Sequence, residues 1–141
     1  MVIYKENWQM TDDKIMIRKH CEEIRKLLDQ SDWANDRKIE VIRKSIEQSL
    51  CYAIFDVETE VMVAYARVIT DYATMYYLCD VIVDEKYRGN GLGKMLVDWI
   101  VNKEEKLQGQ YGVLLADSTQ DLFSRFGFSE CKKSCMCKFL H

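Results

Sequence analysis

The sequence predicts an α+β fold: a mixed, mostly antiparallel central sheet flanked by helices. Three observations predict it. Apolar residues change between a helical period and a strand period in the order strand, two helices, three strands, helix, strand, helix, strand. Short polar turns separate the three consecutive strands, which therefore pair antiparallel. Later, a strand is followed by a glycine-rich turn, a helix and another strand, the arrangement of a parallel crossover. At 141 residues and 16.7 kDa the chain reads as one domain spanning residues 1–141.

Residues 2–8 read as the first strand, and Thr11-Asp12-Asp13 supplies helix-capping side chains. Ile17, Cys21, Ile24 and Leu28 then repeat at helical spacing, with Lys19, Glu22, Glu23 and Lys26 on the polar side. Ser31-Asp32 breaks this pattern around Trp33, and Ile39, Ile42, Ile46 and Leu50 mark a second amphipathic helix ending near Ser49. Residues 50–57 and 61–70 are β-branched and aromatic runs joined by Glu58-Thr59-Glu60, a hairpin. A turn at Asp71 and Tyr72 leads into a third strand over 74–83. From Gly91 onward Leu92, Met95, Leu96, Trp99 and Ile100 line one side of a helix that turns polar at 102–106. Residues 111–115 form a short buried strand, 118–125 a short helix with Gly127 at its C-cap, and 128–140 the strand that closes the sheet.

Composition excludes several function classes. Twenty Lys and Arg against 23 Asp and Glu give a net charge of −3, so no positive field draws in nucleic acid or anionic lipid. No apolar run approaches the roughly 20 residues of a membrane span, and polar Tyr4 to Asn7 interrupt any N-terminal leader, so the expected address is cytoplasmic. Nothing in the composition decides between a monomer and a homodimer. Six cysteines in a chain with no export signal read as free thiols. Cys131, Cys135 and Cys137 suggest a zinc or redox site, but they lack paired C-x-x-C knuckles. Strand alternation, with Cys135, Cys137 and Phe139 on one buried face, accounts for them better, and no metal is expected.

The most informative stretch is residues 81–94, Val-Ile-Val-Asp-Glu-Lys-Tyr-Arg-Gly-Asn-Gly-Leu-Gly-Lys, where a strand ends, three glycines alternate and a helix begins. Glycine permits positive φ, and the first helical N–H groups lack carbonyl partners and carry the positive end of the helix dipole. That combination holds anions, pyrophosphate above all, and Arg88 and Lys94 add charge. Spacing excludes the dinucleotide fingerprint, whose last glycine would fall on Lys94. It also excludes the Walker A loop, because only three residues separate Gly89 from Gly93 and Met95 follows the lysine.

Arg88-x-x-Gly91-x-Gly93 resembles the acyl-CoA signature R/Q-x-x-G-x-G/A of GNAT-type N-acetyltransferases, and Phe123-Ser-Arg-Phe-Gly127-Phe128 resembles the family's second recurring element. Ser31-Asp-Trp33-Ala, residues 66–74 and Leu78-Cys-Asp80-Val are similar to a subgroup of small stand-alone bacterial-type members. The resemblance spans nearly the whole chain and implies a splayed, V-shaped acyl-CoA cleft. In it the backbone of Val81, Ile82 and Val83 would receive the pantetheine and acetyl carbonyl of acetyl-CoA, and that of Arg88, Gly89, Asn90, Gly91, Leu92, Gly93 and Lys94 the pyrophosphate. The implied reaction is acetyl transfer to the amine of a small molecule or peptide by direct attack. The family's usual acid, a tyrosine, is replaced here by Phe123.

For the base, Asp80 and Asp71 are candidates because both lie on or beside strands expected to border the cleft, and burial in an apolar run would raise the pKa of Asp80. Asp71 also reads as a turn former. Trp33, Arg67, Tyr72 and Tyr77 are candidates for the acceptor site, with core packing as the competing role for each. No cysteine stands in a nucleophile motif. The alternative from another class is a module that binds or senses acyl-CoA with weak or no transfer, which Phe123 favours.

Overall fold

The computed structural model describes residues 1–116 and 120–140. Its first strand is a hairpin instead of the single strand expected over 2–8. Glu6 takes a φ of 54° and turns the chain between β1 (Val2–Lys5) and β2 (Trp8–Thr11), which pair antiparallel with Lys5 opposite Trp8. Asp13 caps α1 (Lys14–Lys19), accepting from the N–H groups of Ile15 and Met16 at 2.9 and 3.2 Å. The helix expected to run on to Leu28 breaks at His20. Its Nδ1 donates to the Met16 carbonyl at 2.8 Å and its ring meets Phe55 edge-on, and α2 (Cys21–Leu28) starts afresh. The next helix, α3 (Ile39–Glu47), is the second amphipathic one expected.

The three consecutive strands form as expected, within a residue or so at each end: β3 (Leu50–Asp56), β4 (Met62–Thr70) and β5 (Met75–Val83). After the glycine loop, α4 (Leu92–Asp98) continues as a π-helical turn over Trp99–Lys103. The chain then returns to β6 (Tyr111–Val113), parallel to β5. The six strands lie in chain order, every pair antiparallel but the last. A short helix, α5 (Gln120–Ser124), follows; the expected helix began at 118, outside the described residues.

The sheet buries both faces. Ile17, Ile24, Leu28, Ile42 and Ile46 of α1–α3 pack with Ala53, Phe55, Tyr65 and Ile82 on one side; Leu92, Leu96, Trp99 and Ile100 pack with Tyr52, Ile54, Ala66, Val68 and Leu78 on the other. In the second layer the Tyr52 hydroxyl donates to Glu104 Oε2 at 2.9 Å, and the tyrosine ring meets Trp99 edge-on. Both partners are buried. Tyr52→Phe should leave the Glu104 carboxylate short of a donor and cost about 1–3 kcal/mol of stability, read from urea unfolding.

Two expectations at the C-terminal end are corrected. Residue Tyr111, expected in a buried strand, is 83% exposed. Residues 128–140 form no strand, and Cys131, Cys135, Cys137, Phe139 and Leu140 are exposed instead of lining a buried face. The three residues of β6 offer a very short ladder, and the alternate face that carries Cys131, Cys135, Cys137 and Phe139 also carries Lys133.

Candidate active site

The site is built on an irregularity in β5. Tyr65 of β4 lies opposite Ile82 and Arg67 opposite Cys79, so Asp80 and Val81 together face the one residue Ala66. Asp80 carries the extra turn at φ 55°, a left-handed conformation that aspartate tolerates better than most residues. The bulge reverses the strand's alternation. Tyr76 and Leu78 point into the α4 layer, whereas beyond the bulge Val81 and Val83 do so and Ile82 points to α1–α3. Asp80 is thereby kept out of the apolar α4 layer and faces the helices on the other side.

There its side chain, 4% exposed, is ionically paired twice. Arg37 Nη1 and Arg67 Nε both donate to Oδ2, at 2.8 and 2.9 Å, and Arg67 Nη1 also donates to Ser49 Oγ at 3.1 Å. The surroundings of Asp80 are therefore two guanidiniums, in place of the apolar setting expected from its neighbours in sequence. Arg37 is delivered by the loop between α2 and α3. Ser31 Oγ donates to the Leu28 carbonyl and accepts from Ala34 N–H, and Asp29 accepts from Asp36 N–H, which fixes that loop beside the strand.

Pairing between β5 and β6 stops at Tyr77 opposite Val113, although β5 runs on to Val83. β6 ends there, and a cavity of about 500 Å³ opens between the rest of β5 and residues 114–116. Trp33, Arg37, Arg67, Tyr77 and Cys79 line it on one side, and Leu78, Val81, Leu114, Ala116 and Phe123 on the other, with Asp80 between. Because Asp84 N–H bonds to Val63 of β4, alternation turns the peptide groups of Val83 and Val81 to the open edge and those of Ile82 to β4.

The glycine loop sits past the end of that strand. Asp84 caps it by accepting from Lys86 N–H, Asn90 donates to the Tyr87 carbonyl at 2.8 Å, and the Tyr87 hydroxyl donates to Asp56. Gly89 and Gly91 stand at φ 88° and 75°, where a side chain is strained. The N–H groups of Gly91, Leu92, Gly93 and Lys94 meet no acceptor among the described residues. Gly91, Asn90 and Lys94 also border a groove of about 400 Å³ beside Trp8 and Phe126. Gly93 packs against Leu122 and Val83, where a Cβ would make ordinary contacts of 3.4 Å to Leu122 Cδ2 and 3.8 Å to Val83 Cγ2.

Of the residues singled out from sequence, Asp80, Arg67, Trp33, Tyr77 and Val81 meet in one cavity, and Gly91 to Lys94 form one cradle of amides. Asp71 and Tyr72 do not join them. Asp71 is exposed and folded into its own turn. The Thr74 hydroxyl and the N–H groups of Thr74 and Ala73 hold its carboxyl well below the usual carboxylate range. Tyr72, at φ 63° and 58% exposed, tops the same turn and does not line the cavity. Sequence reasoning missed Arg37 and Ser49. The only signal for Arg37 is its place four residues after Trp33 in a polar loop, where a cation ordinarily faces solvent.

Cys79 lines the cavity, but burial pushes its thiol up to about 11, and burial raises Cys51 and Cys21 too. A thiol so placed is almost wholly protonated near neutral pH and makes a poor nucleophile. Maleimide labelling of the native protein at pH 7 should modify Cys131, Cys135 and Cys137 rapidly and leave Cys21, Cys51 and Cys79 unmodified, as mass spectrometry of the digest would read. Among the described residues no group of three His, Cys, Asp or Glu side chains is placed to hold a metal ion, and no helix is long and apolar enough to cross a membrane.

The model of the Acetyltransferase (GNAT) domain family matches residues 47–130. A solved structure from Xanthomonas campestris pv. campestris, described as belonging to the GNAT family, is 32% identical with a TM-score of 0.84, over 94% of this chain and 93% of that one. A Staphylococcus aureus protein of unknown function shares the fold at 20% identity and a TM-score of 0.77, over 95% and 98% of the two chains. So does glucosamine-6-phosphate N-acetyltransferase from Arabidopsis thaliana, at 22% and 0.65, over 95% and 99%. No curated protein matches the chain.

Proposed function

The chain belongs to the GNAT acetyltransferase family, and we propose that it transfers the acetyl group of acetyl-CoA to the amine of a small molecule or peptide by direct attack. The observation that carries this reading is the stretch of β5 beyond Tyr77 that β6 does not pair, which joins a cavity containing a buried carboxylate to an open strand edge. The residues present fit the cofactor: the amides of Gly91 to Lys94, which meet no acceptor among the described residues, and the left-handed Gly91 suit a pyrophosphate, with Arg88 and Lys94 in the same loop to add charge. Val81 and Val83 offer peptide N–H groups to an extended pantetheine arm and an acyl oxygen. Acetyl-CoA, when bound, supplies an activated thioester.

The remaining work falls to the chain's own side chains. Asp80 Oδ2 is occupied by two guanidiniums, and no described residue donates to Oδ1, so that oxygen is the one to take a proton from the acceptor amine. Leu78, Leu114 and Phe123 make the apolar side of the cavity. Phe123 has no proton to give a departing thiolate, and a free thiol with a pKa of about 8.5 is a workable leaving group without one.

Phe123 also favours a second reading, a module that holds or senses acyl-CoA without transferring it. Incubation with acetyl-CoA and a panel of amines, with free thiol followed, separates the two. Amine-dependent thiol release supports transfer, and tight coenzyme binding with no release across the panel supports sensing.

A further inference from the structure

The acceptor side of the cavity holds more positive charge than its carboxylate neutralises. Asp80 is one charge against two buried or half-buried guanidiniums, Arg67 at 12% and Arg37 at 23% side-chain exposure. The other carboxylate of the lining, Asp32, is exposed at the rim, where water screens it. The guanidiniums also keep donors in reserve. Arg37 spends only Nη1 and Arg67 only Nε and Nη1, and a guanidinium has more N–H groups than that. None of the described side-chain nitrogens or oxygens is both buried and without a partner, so Arg67 Nη2 and Arg37 Nε and Nη2 reach open space. The open space that both residues border is this cavity.

We propose that the acceptor amine carries an anionic oxygen group, a carboxylate or a phosphate, which the free edges of Arg37 and Arg67 bind while Asp80 Oδ1 takes the ammonium. The inference rests on the acetyl-transfer reading for its chemistry but not for its binding geometry. Guanidinium edges match the paired oxygens of such groups, and a site with an unspent cation disfavours a second positive charge. Monoamines and diamines without an anionic group are accordingly the poor substrates, because they offer the free guanidinium edges no acceptor and add positive charge beside them.

The test compares β-alanine and phosphoethanolamine with propylamine and putrescine, each by calorimetric binding to the full chain in the presence of coenzyme A and by thiol release from acetyl-CoA. At least one anionic amine should bind about tenfold more tightly than propylamine, the scale of one charge-assisted hydrogen bond. Which of the two does so identifies carboxylate or phosphate. Arg37→Gln should erase that preference, bringing the affinity for the anionic amine to within about twofold of that for propylamine in the same variant. Equal or tighter binding of propylamine or putrescine by the unaltered protein, or a preference that survives Arg37→Gln, overturns the proposal. Preferential binding of an anionic amine with no thiol release from any amine upholds this inference and counts against acetyl transfer instead.

Discussion

Asp80→Ala is expected to lower stability by about 3–5 kcal/mol, the cost of removing one partner of a buried ionic cluster. The change leaves the Arg37 and Arg67 guanidiniums facing each other with no counter-charge, since both end on the same carboxylate oxygen. It also puts an alanine at φ 55°, a conformation aspartate and asparagine tolerate better. Two further variants separate these effects. Asp80→Gly relieves the backbone but still lacks the charge, so it should recover only about 1 kcal/mol of the loss. Asp80→Asn suits the backbone and keeps one oxygen for the arginines. It should therefore melt closest to the parent yet lose acetyl transfer by at least about a hundredfold in kcat, the usual effect of removing a general base. Thermal unfolding and thiol-release kinetics read the two losses separately. A variant Asp80→Asn with parental kcat would remove Asp80 from the proton path and leave it a structural clamp.

Gly91→Ala is expected to weaken coenzyme A binding at least about tenfold. Space is not the reason, for a Cβ at Gly91 meets nothing within 4 Å. The obstacle is the φ of 75°, which costs an ordinary residue about 1–2 kcal/mol. A loop that relaxes to escape the strain turns the first amides of α4 away from one another. Gly91→Gln, larger but unbranched at Cβ, should behave much as Gly91→Ala does, because backbone strain and not bulk is at work. Both variants should lose no more stability than that strain, a fall of a few degrees in unfolding temperature, since the residue is exposed and touches no core side chain. Graded loss of affinity with side-chain size, instead of a shared loss, would point to steric blockade.

Much of this architecture was legible from pattern alone. The meander of β3, β4 and β5 and the helix after Gly91 follow from clean changes of period bounded by polar turns, and those elements form where expected. The failures have local causes. A positive φ at Glu6 makes a hairpin of a stretch short enough to read as one strand, with Glu6-Asn7 as its turn. A histidine side chain that takes a helix carbonyl splits one amphipathic helix into two without disturbing its apolar stripe. Residues 128–140 alternate like a strand but meet a neighbour only three residues long.

The candidate site divides along the same line. The amide cradle was readable because glycine spacing directly encodes backbone conformation. The Asp80 cluster was only half readable. Asp80 stood out as a carboxylate in an apolar run, but the bulge that re-aims it and the loop that brings Arg37 across to it are tertiary. Asp71, equally prominent in sequence, spends its carboxylate on its own turn.

The central claim is that coenzyme A lies along the open edge of β5 with its diphosphate on the first amides of α4. Titrating the isotope-labelled protein with coenzyme A and following backbone amide resonances tests it most directly. The largest shifts are expected at Val81, Val83 and Gly91 to Lys94, with smaller ones at Lys5, Glu6 and Trp8, which border the same groove, and none in the rest of the β1–β2 hairpin. Saturable binding that leaves those amides in place and shifts another surface would contradict it.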